Sequence, residues 1–74
     1  MTLASPATIG LRLRQLRTER GCTGRWLALR INVSPVTYSC WEKGKRVPQL
    51  EYAMRLADLY GVSVEALFGE SEQS

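Results

Sequence analysis

The amino-acid sequence predicts an all-α fold: five short helices in one compact domain. Three observations carry this expectation. Apolar residues recur at spacings of three and four along short segments, and nowhere alternate at a period of two over any length. Serine or threonine stands where a helix would be capped at four segment starts, Ser5, Thr23, Ser34 and Ser63. Glycine closes three segments, at Gly21, Gly44 and Gly61. A chain of 74 residues is one domain, and at that size only about 60% of the unfolded surface is buried, so the core is small.

Residues 1–5 read as a flexible N-terminus. Ser5-Pro6 then opens the first helix, since proline suits a first turn whose N–H groups have no partner. Ile9, Leu13 and Leu16 form its apolar stripe as far as about Arg20; Leu11 lies off the stripe and is expected to be partly buried. The second helix, about 24–31, is capped by Thr23, but Trp26 stands where a reciprocal capping box needs Glu or Gln. Gly24 weakens it by up to about 1 kcal/mol relative to alanine. The third helix covers about Pro35 to Lys43. The basic loop Lys43-Gly44-Lys45-Arg46-Val47-Pro48 follows. The fourth spans about Gln49 to Tyr60, with Leu50, Ala53, Met54, Ala57 and Tyr60 along one side. Ser63 caps a fifth that ends at Phe68, with Val64 and Leu67 facing inward. The folded domain is thus 6–69, and residues 70–74 form a polar, acidic tail with nothing to bury, expected to be disordered.

Residues 24–41 are the most informative. Leu27, Ile31, Val33, Tyr38 and Trp41 fall where two crossed helices share apolar contacts, which makes Trp41 a core residue. Ala28 falls at the closest crossing. Asn32 falls at the tight turn, where the backbone needs positive φ and asparagine is tolerated next after glycine. Ser34 caps the next helix and Pro35 occupies its first position. This spacing is that of a helix-turn-helix, a unit that sets its second helix into the DNA major groove.

Charge agrees. Net charge is +3, unevenly spread. Residues 1–46 hold nine Lys/Arg against two acids, net +7; residues 47–74 hold Arg55 against five acids, net −4. One face turned to a polyanion and another turned away would produce this. No apolar run approaches the roughly 20 residues of a membrane span, and the first residues lack the pattern of a secretory signal. A soluble cytoplasmic protein with no membrane role is the expectation. Cys22 and Cys40 lack metal-ligand spacing and the chain has no histidine, so no metal or cofactor is expected and both thiols read as reduced. No paired carboxylates, histidine or phosphate loop suggest an enzyme.

The segments Ile9–Arg17, Arg20-Gly21, Leu27-Ala28, Val33-Ser34, Trp41–Pro48 (Trp-Glu-Lys-Gly-Lys-Arg-Val-Pro) and Leu59–Gly69 together resemble the lambda-repressor/Cro-like helix-turn-helix family, also called the xenobiotic-response-element type. The resemblance covers about residues 7–69. It implies a sequence-specific, DNA-binding transcriptional regulator, in particular a repressor of phage, plasmid or mobile-element type. It also implies a structural ion pair between Arg17 and Glu42. The family's base-reading positions fall on Ser34, Pro35, Val36, Thr37 and Cys40, with Ser39 beside them as a further hydroxyl. None is Arg, Lys, Asn or Gln, the usual bidentate readers, so hydroxyls and the apolar contact of Val36 with thymine methyls must serve. Cys40 reads as a small side chain, although oxidation there would add bulk to the DNA face. Gly24 replaces the family's frequent glutamine and offers only its backbone N–H to a phosphate, aided by the helix dipole. Lys43, Lys45 and Arg46 are the phosphate-contact candidates of the loop. Arg25 joins them from the second helix, Arg30 is a weaker candidate, and Arg14 reads as surface. Trp26 is expected to pack locally.

One recognition helix covers only a few base pairs, so a homodimer on half-sites about 34–36 Å apart, or a multiple, is expected. Apolar residues in excess of a small core place its contact on Tyr52, Leu59, Val64 and Phe68. The alternative is an antitoxin or controller-type module that uses this fold mainly to bind a protein partner.

Overall fold

The computed structural model describes residues 2–70, and the acidic tail beyond Glu70 lies outside them. Five helices follow in order: α1 (Pro6–Glu19), α2 (Gly24–Arg30), α3 (Pro35–Glu42), α4 (Leu50–Tyr60) and α5 (Val64–Phe68). Four open on the expected caps: the side chains of Ser5, Thr23, Ser34 and Ser63 each accept the backbone N–H three residues on. α4 differs, because Gln49 is its N-cap residue and makes no side-chain cap bond. Asn32 adopts φ 65°, as the turn between α2 and α3 demands, and Gly44 does the same after α3 at φ 76°.

The core draws Ile9 and Leu13 from α1, Leu27, Ala28 and Ile31 from α2 and its cap, Tyr38 and Trp41 from α3, Ala53, Leu56, Ala57 and Tyr60 from α4, and Leu67 and Phe68 from α5. Val33 packs against it half-buried. Leu50 (70% exposed) and Met54 (56%) stand outside, contrary to the sequence expectation. The packed line of α4 is set by Ala53, Leu56, Ala57 and Tyr60 at spacings of three, one and three, and Leu50 and Met54 lie a step beyond it. Leu11 is likewise open to solvent, not partly buried.

A close approach unseen in the sequence joins α1 to α3 at Gly10. A Cβ there would lie 2.6 Å from the Trp41 carbonyl oxygen and closer still to that of Glu42. Thr2, Leu3 and Ala4, before α1, are tied down rather than loose. Leu3 pairs with Gly69 as an isolated antiparallel bridge, Ala4 N–H donates to the Phe68 carbonyl and Glu70 N–H to that of Thr2. Pairing of backbone groups against the end of α5 gives this short segment partners that its own composition does not suggest.

Candidate nucleic-acid interface

α3 is anchored on one side and open on the other. Tyr38 and Trp41 turn inward, with their rings edge-on at 6.0 Å. Val36, at 74% exposure, stands on the opposite side, with Thr37, Ser39 and Cys40 partly exposed around it. Ser34 is exposed but its hydroxyl is occupied. Its Oγ accepts from Thr37 N–H at 3.1 Å and donates to Thr37 Oγ1 at 2.9 Å. The pair therefore offers chiefly the remaining Thr37 O–H to a ligand.

Arg17 sets the far end of α3. Its Nε and Nη2 grip Glu42 at 2.6 and 3.1 Å, while Nη1 donates to the Cys22 carbonyl at 2.9 Å. One guanidinium thus joins α1, the α1–α2 turn and the last residue of α3. Burial opposes the Glu42 charge, but the hydrogen bonds from Arg17, with the nearby Tyr38 hydroxyl, outweigh it and hold the carboxyl below its ordinary value. The Arg17 guanidinium is raised in turn, mainly by its hydrogen bond to Glu42. Burial pushes the Tyr38 and Tyr60 hydroxyls up as well. Tyr38 acts on Glu42 electrostatically, yet neither hydroxyl makes a hydrogen bond of good geometry.

Directly after this clamp come Lys43, Lys45 and Arg46, all exposed. Arg46 and Thr37 line one shallow cleft of about 200 Å³, together with Trp41, Val47, Gln49 and Tyr52. The structure thus brings the outer face of α3 and the basic loop onto one surface. Gln49, which lines the same cleft, is the N-cap residue of α4 and makes no side-chain cap bond. Gly24 is the first residue of α2, half-buried beside the Tyr38 ring, and Arg25 next to it is exposed.

Three arginines, two of them in the basic half, have structural duties. Arg12 Nη1 donates to the Leu67 carbonyl at 3.2 Å and to that of Gly69, at the end of α5. Arg20 donates to the Tyr60 carbonyl at 2.8 Å and lies 4.9 Å over that ring, at the end of α4. Arg55 donates to the Ile31 carbonyl at 3.0 Å, at the end of α2. Cations at helix C-termini satisfy orphan carbonyls and complement the dipole. The exposed cations left in residues 1–46 are Arg14, Arg25, Arg30, Lys43, Lys45 and Arg46.

The four residues expected at a dimer contact do not share one patch. Phe68 is only 3% exposed and belongs to the protomer's own core. Tyr52 packs 5.7 Å from the Trp41 ring, on the cleft that Arg46 lines. Leu59 borders Arg30 and Ile31. Val64 lines one cleft with Leu3, Val47, Leu50 and the rim of Phe68, and another with Met54. Trp26 is about half exposed, with the Arg30 guanidinium of its own helix over its ring.

A family model described as a helix-turn-helix domain matches residues 8–67. The chain belongs to the helix-turn-helix family, in its lambda-repressor/Cro-like form. Among relatives of this helix-turn-helix chain, the cryptic phage CTXphi transcriptional repressor RstR of Vibrio cholerae is 39% identical over 61 residues, 82% of this chain and 55% of the repressor. The restriction-modification controller protein C.AhdI of Aeromonas hydrophila is 28% identical, with a TM-score of 0.78 over 85% of this chain and 96% of its own. The P22 c2 repressor, solved in complex with a synthetic operator, is 27% identical, with a TM-score of 0.78 over 84% of this chain and 96% of its own. The chain spans about half the length of curated relatives it matches, 55% of RstR and 53% of ImmR of Bacillus subtilis. Among the described residues no helix is long and apolar enough to cross a membrane and no cluster could hold a metal ion.

Proposed function

We propose that this chain is the sequence-specific DNA-binding part of a transcriptional regulator, a repressor of phage or mobile-element type, acting in the cytoplasm as a homodimer. α3 enters the major groove. Val36, Thr37, Ser39 and Cys40 meet base edges, with Ser34 contributing through its bond to Thr37. The Gly24 N–H, Arg25, Lys43, Lys45 and Arg46 meet phosphates on either side. The observation that carries this is the arrangement at α3: an outer face free of core duty, running directly into three exposed cations. Membership of a family of DNA-binding regulators, not an enzyme class, supports it. So does the operator in the P22 c2 repressor complex.

With no Arg, Lys, Asn or Gln on the reading face, affinity rests mainly on phosphates and DNA shape. The test is the salt dependence of duplex binding. A steep negative slope of log affinity against log salt is expected, and each of Lys43→Ala, Lys45→Ala and Arg46→Ala should reduce its magnitude by about 1. Absence of duplex binding at low salt would reject the proposal.

The homodimer forms through α4 and α5, with Leu50, Met54 and Val64 as its apolar centre and Leu3 and Val47 at its edge. Their shared clefts and exposure favour this over the set expected from sequence. The second reading, a controller or antitoxin module that mainly binds a protein, is favoured by the exposed Trp26.

A further inference from the structure

Among the described residues, α2 presents a face that stays largely open to solvent. Its inward line is Leu27, Ala28 and, at the cap, Ile31. On the opposite side, about one turn apart, stand Trp26 at 47% exposure and Leu29 at 67%. Arg25 and Arg30 flank them, both exposed. The Arg30 guanidinium carbon lies 5.4 Å from the Trp26 ring centre, which keeps a cation at the edge of the apolar pair. α2 itself carries no acid. Beyond Arg30 a cleft of about 220 Å³ continues the surface, lined by Ile31, Arg55, Asp58 and Leu59.

Two occupants could satisfy the arginines, a phosphate backbone or carboxylates. Leu29 decides between them. It has nothing to offer a phosphate, and beside a duplex it would stay in water. A tryptophan and a leucine one turn apart, bracketed by arginines, suit a partner that buries the apolar pair and brings its own carboxylates. Tryptophan and arginine are also the residues that most often dominate protein interfaces.

We infer that the outer face of α2 is a docking surface for an acidic amphipathic segment of a partner protein, whose apolar side chains cover Trp26 and Leu29 and whose carboxylates meet Arg30 and, when no duplex is bound, Arg25. This goes beyond the DNA proposal and uses neither α3 nor the basic loop.

The test is selection of random 16-residue displayed peptides on the immobilised full chain, after depletion on the double variant Trp26→Ala, Leu29→Ala. Enriched peptides should carry several Asp or Glu around Leu, Ile or Phe. A synthetic copy should shift the emission of exposed Trp26 to the blue, while buried Trp41 stays unmoved. It should bind the double variant, and its own Glu→Gln version should bind the wild type, at least tenfold more weakly. The double variant should bind duplex DNA within twofold of wild type. No enrichment of acidic, apolar peptides above the input pool would overturn the inference. A tenfold loss of duplex binding in the variant would make this face a DNA-backbone contact, and loss of self-association would make its occupant a second copy; either overturns it. If the double variant melts early, the single variant Leu29→Ala supplies the same comparisons at the more exposed of the two positions.

Discussion

Glu42 is the side chain whose loss should be felt most, because it joins local stability to the position of the site. Its carboxylate is 13% exposed and bound at both oxygens by Arg17. Removing one member of a buried pair strands the other charge and costs about 3–5 kcal/mol. With partial exposure, Glu42→Ala should cost about 2–4 kcal/mol, a fall in Tm of roughly 10 °C or more in a domain of this size. Thermal unfolding followed by circular dichroism measures it, and an unchanged Tm would remove the clamp from the account. The pH dependence has a defined sign. The folded carboxyl lies below its ordinary value of 4.5, so the unfolded chain takes up the proton first as pH falls. The contribution is complete above pH 4.5 and drains away below it. Glu42→Gln should flatten that acid limb.

The two buried tyrosines act at the other extreme. Both hydroxyls are raised above their ordinary value of 10.0 by burial. The unfolded chain therefore loses these protons first, and stability that is full below pH 10 falls as pH rises beyond it. Urea midpoints measured from pH 8 to 11 should decline past 10, and less steeply in Tyr60→Phe. That substitution should cost little at neutral pH, since its hydroxyl makes no hydrogen bond of good geometry.

At the level of the helices, two glycines give opposite predictions. A Cβ on Gly10 would run into the α3 backbone at Trp41 and Glu42, which cannot swing aside as a side chain can. Gly10→Ala should destabilise by about 2–3 kcal/mol, the upper part of the usual range for overpacking, and should loosen α3 from α1. A Cβ on Gly24 would meet the Tyr38 ring at an ordinary 3.6 Å. Gly24→Ala should stabilise by up to about 1 kcal/mol through helix propensity alone. Denaturant midpoints of the two variants check both signs at once. The sequence marks Ala28 as a close crossing because the α2–α3 unit has fixed internal spacing. It is silent about Gly10, whose neighbour lies more than thirty residues away.

Across the whole molecule, the distribution of charge and apolar surface decides what can assemble with what. Leu50 and Met54 are exposed on α4 beside the clefts that Val64 lines. Met54→Glu should reduce the sedimentation coefficient to that of a monomer without lowering Tm, and should weaken binding to a two-half-site duplex far more than to a single half-site. Equal sedimentation of wild type and variant as monomers would dismiss the dimer. The candidate reading face was legible from sequence, because Ser34, Val36, Thr37, Ser39 and Cys40 lie on a helix whose inward residues, Tyr38 and Trp41, declare themselves by spacing. The proposed dimer patch was legible only as an excess of apolar residues. Tyr52 and Phe68 could not be told from Leu50 and Met54 without knowing which helix each one meets.

What this sequence determined unaided is what depends on neighbours within about four positions: the caps at Ser5, Thr23, Ser34 and Ser63, the left-handed turn at Asn32, and the side of α3 that faces out. What only the tertiary structure decided depends on groups far apart in the chain. Arg12 is drawn to carbonyls 55 and 57 residues away, Arg20 to one 40 away, and Arg55 to one 24 away. A guanidinium that closes a helix end carries the same formal charge as one left facing solvent. Composition counts both alike, and only the packing of helix ends against α1 and α4 separates the cations that hold the fold from those available to a phosphate.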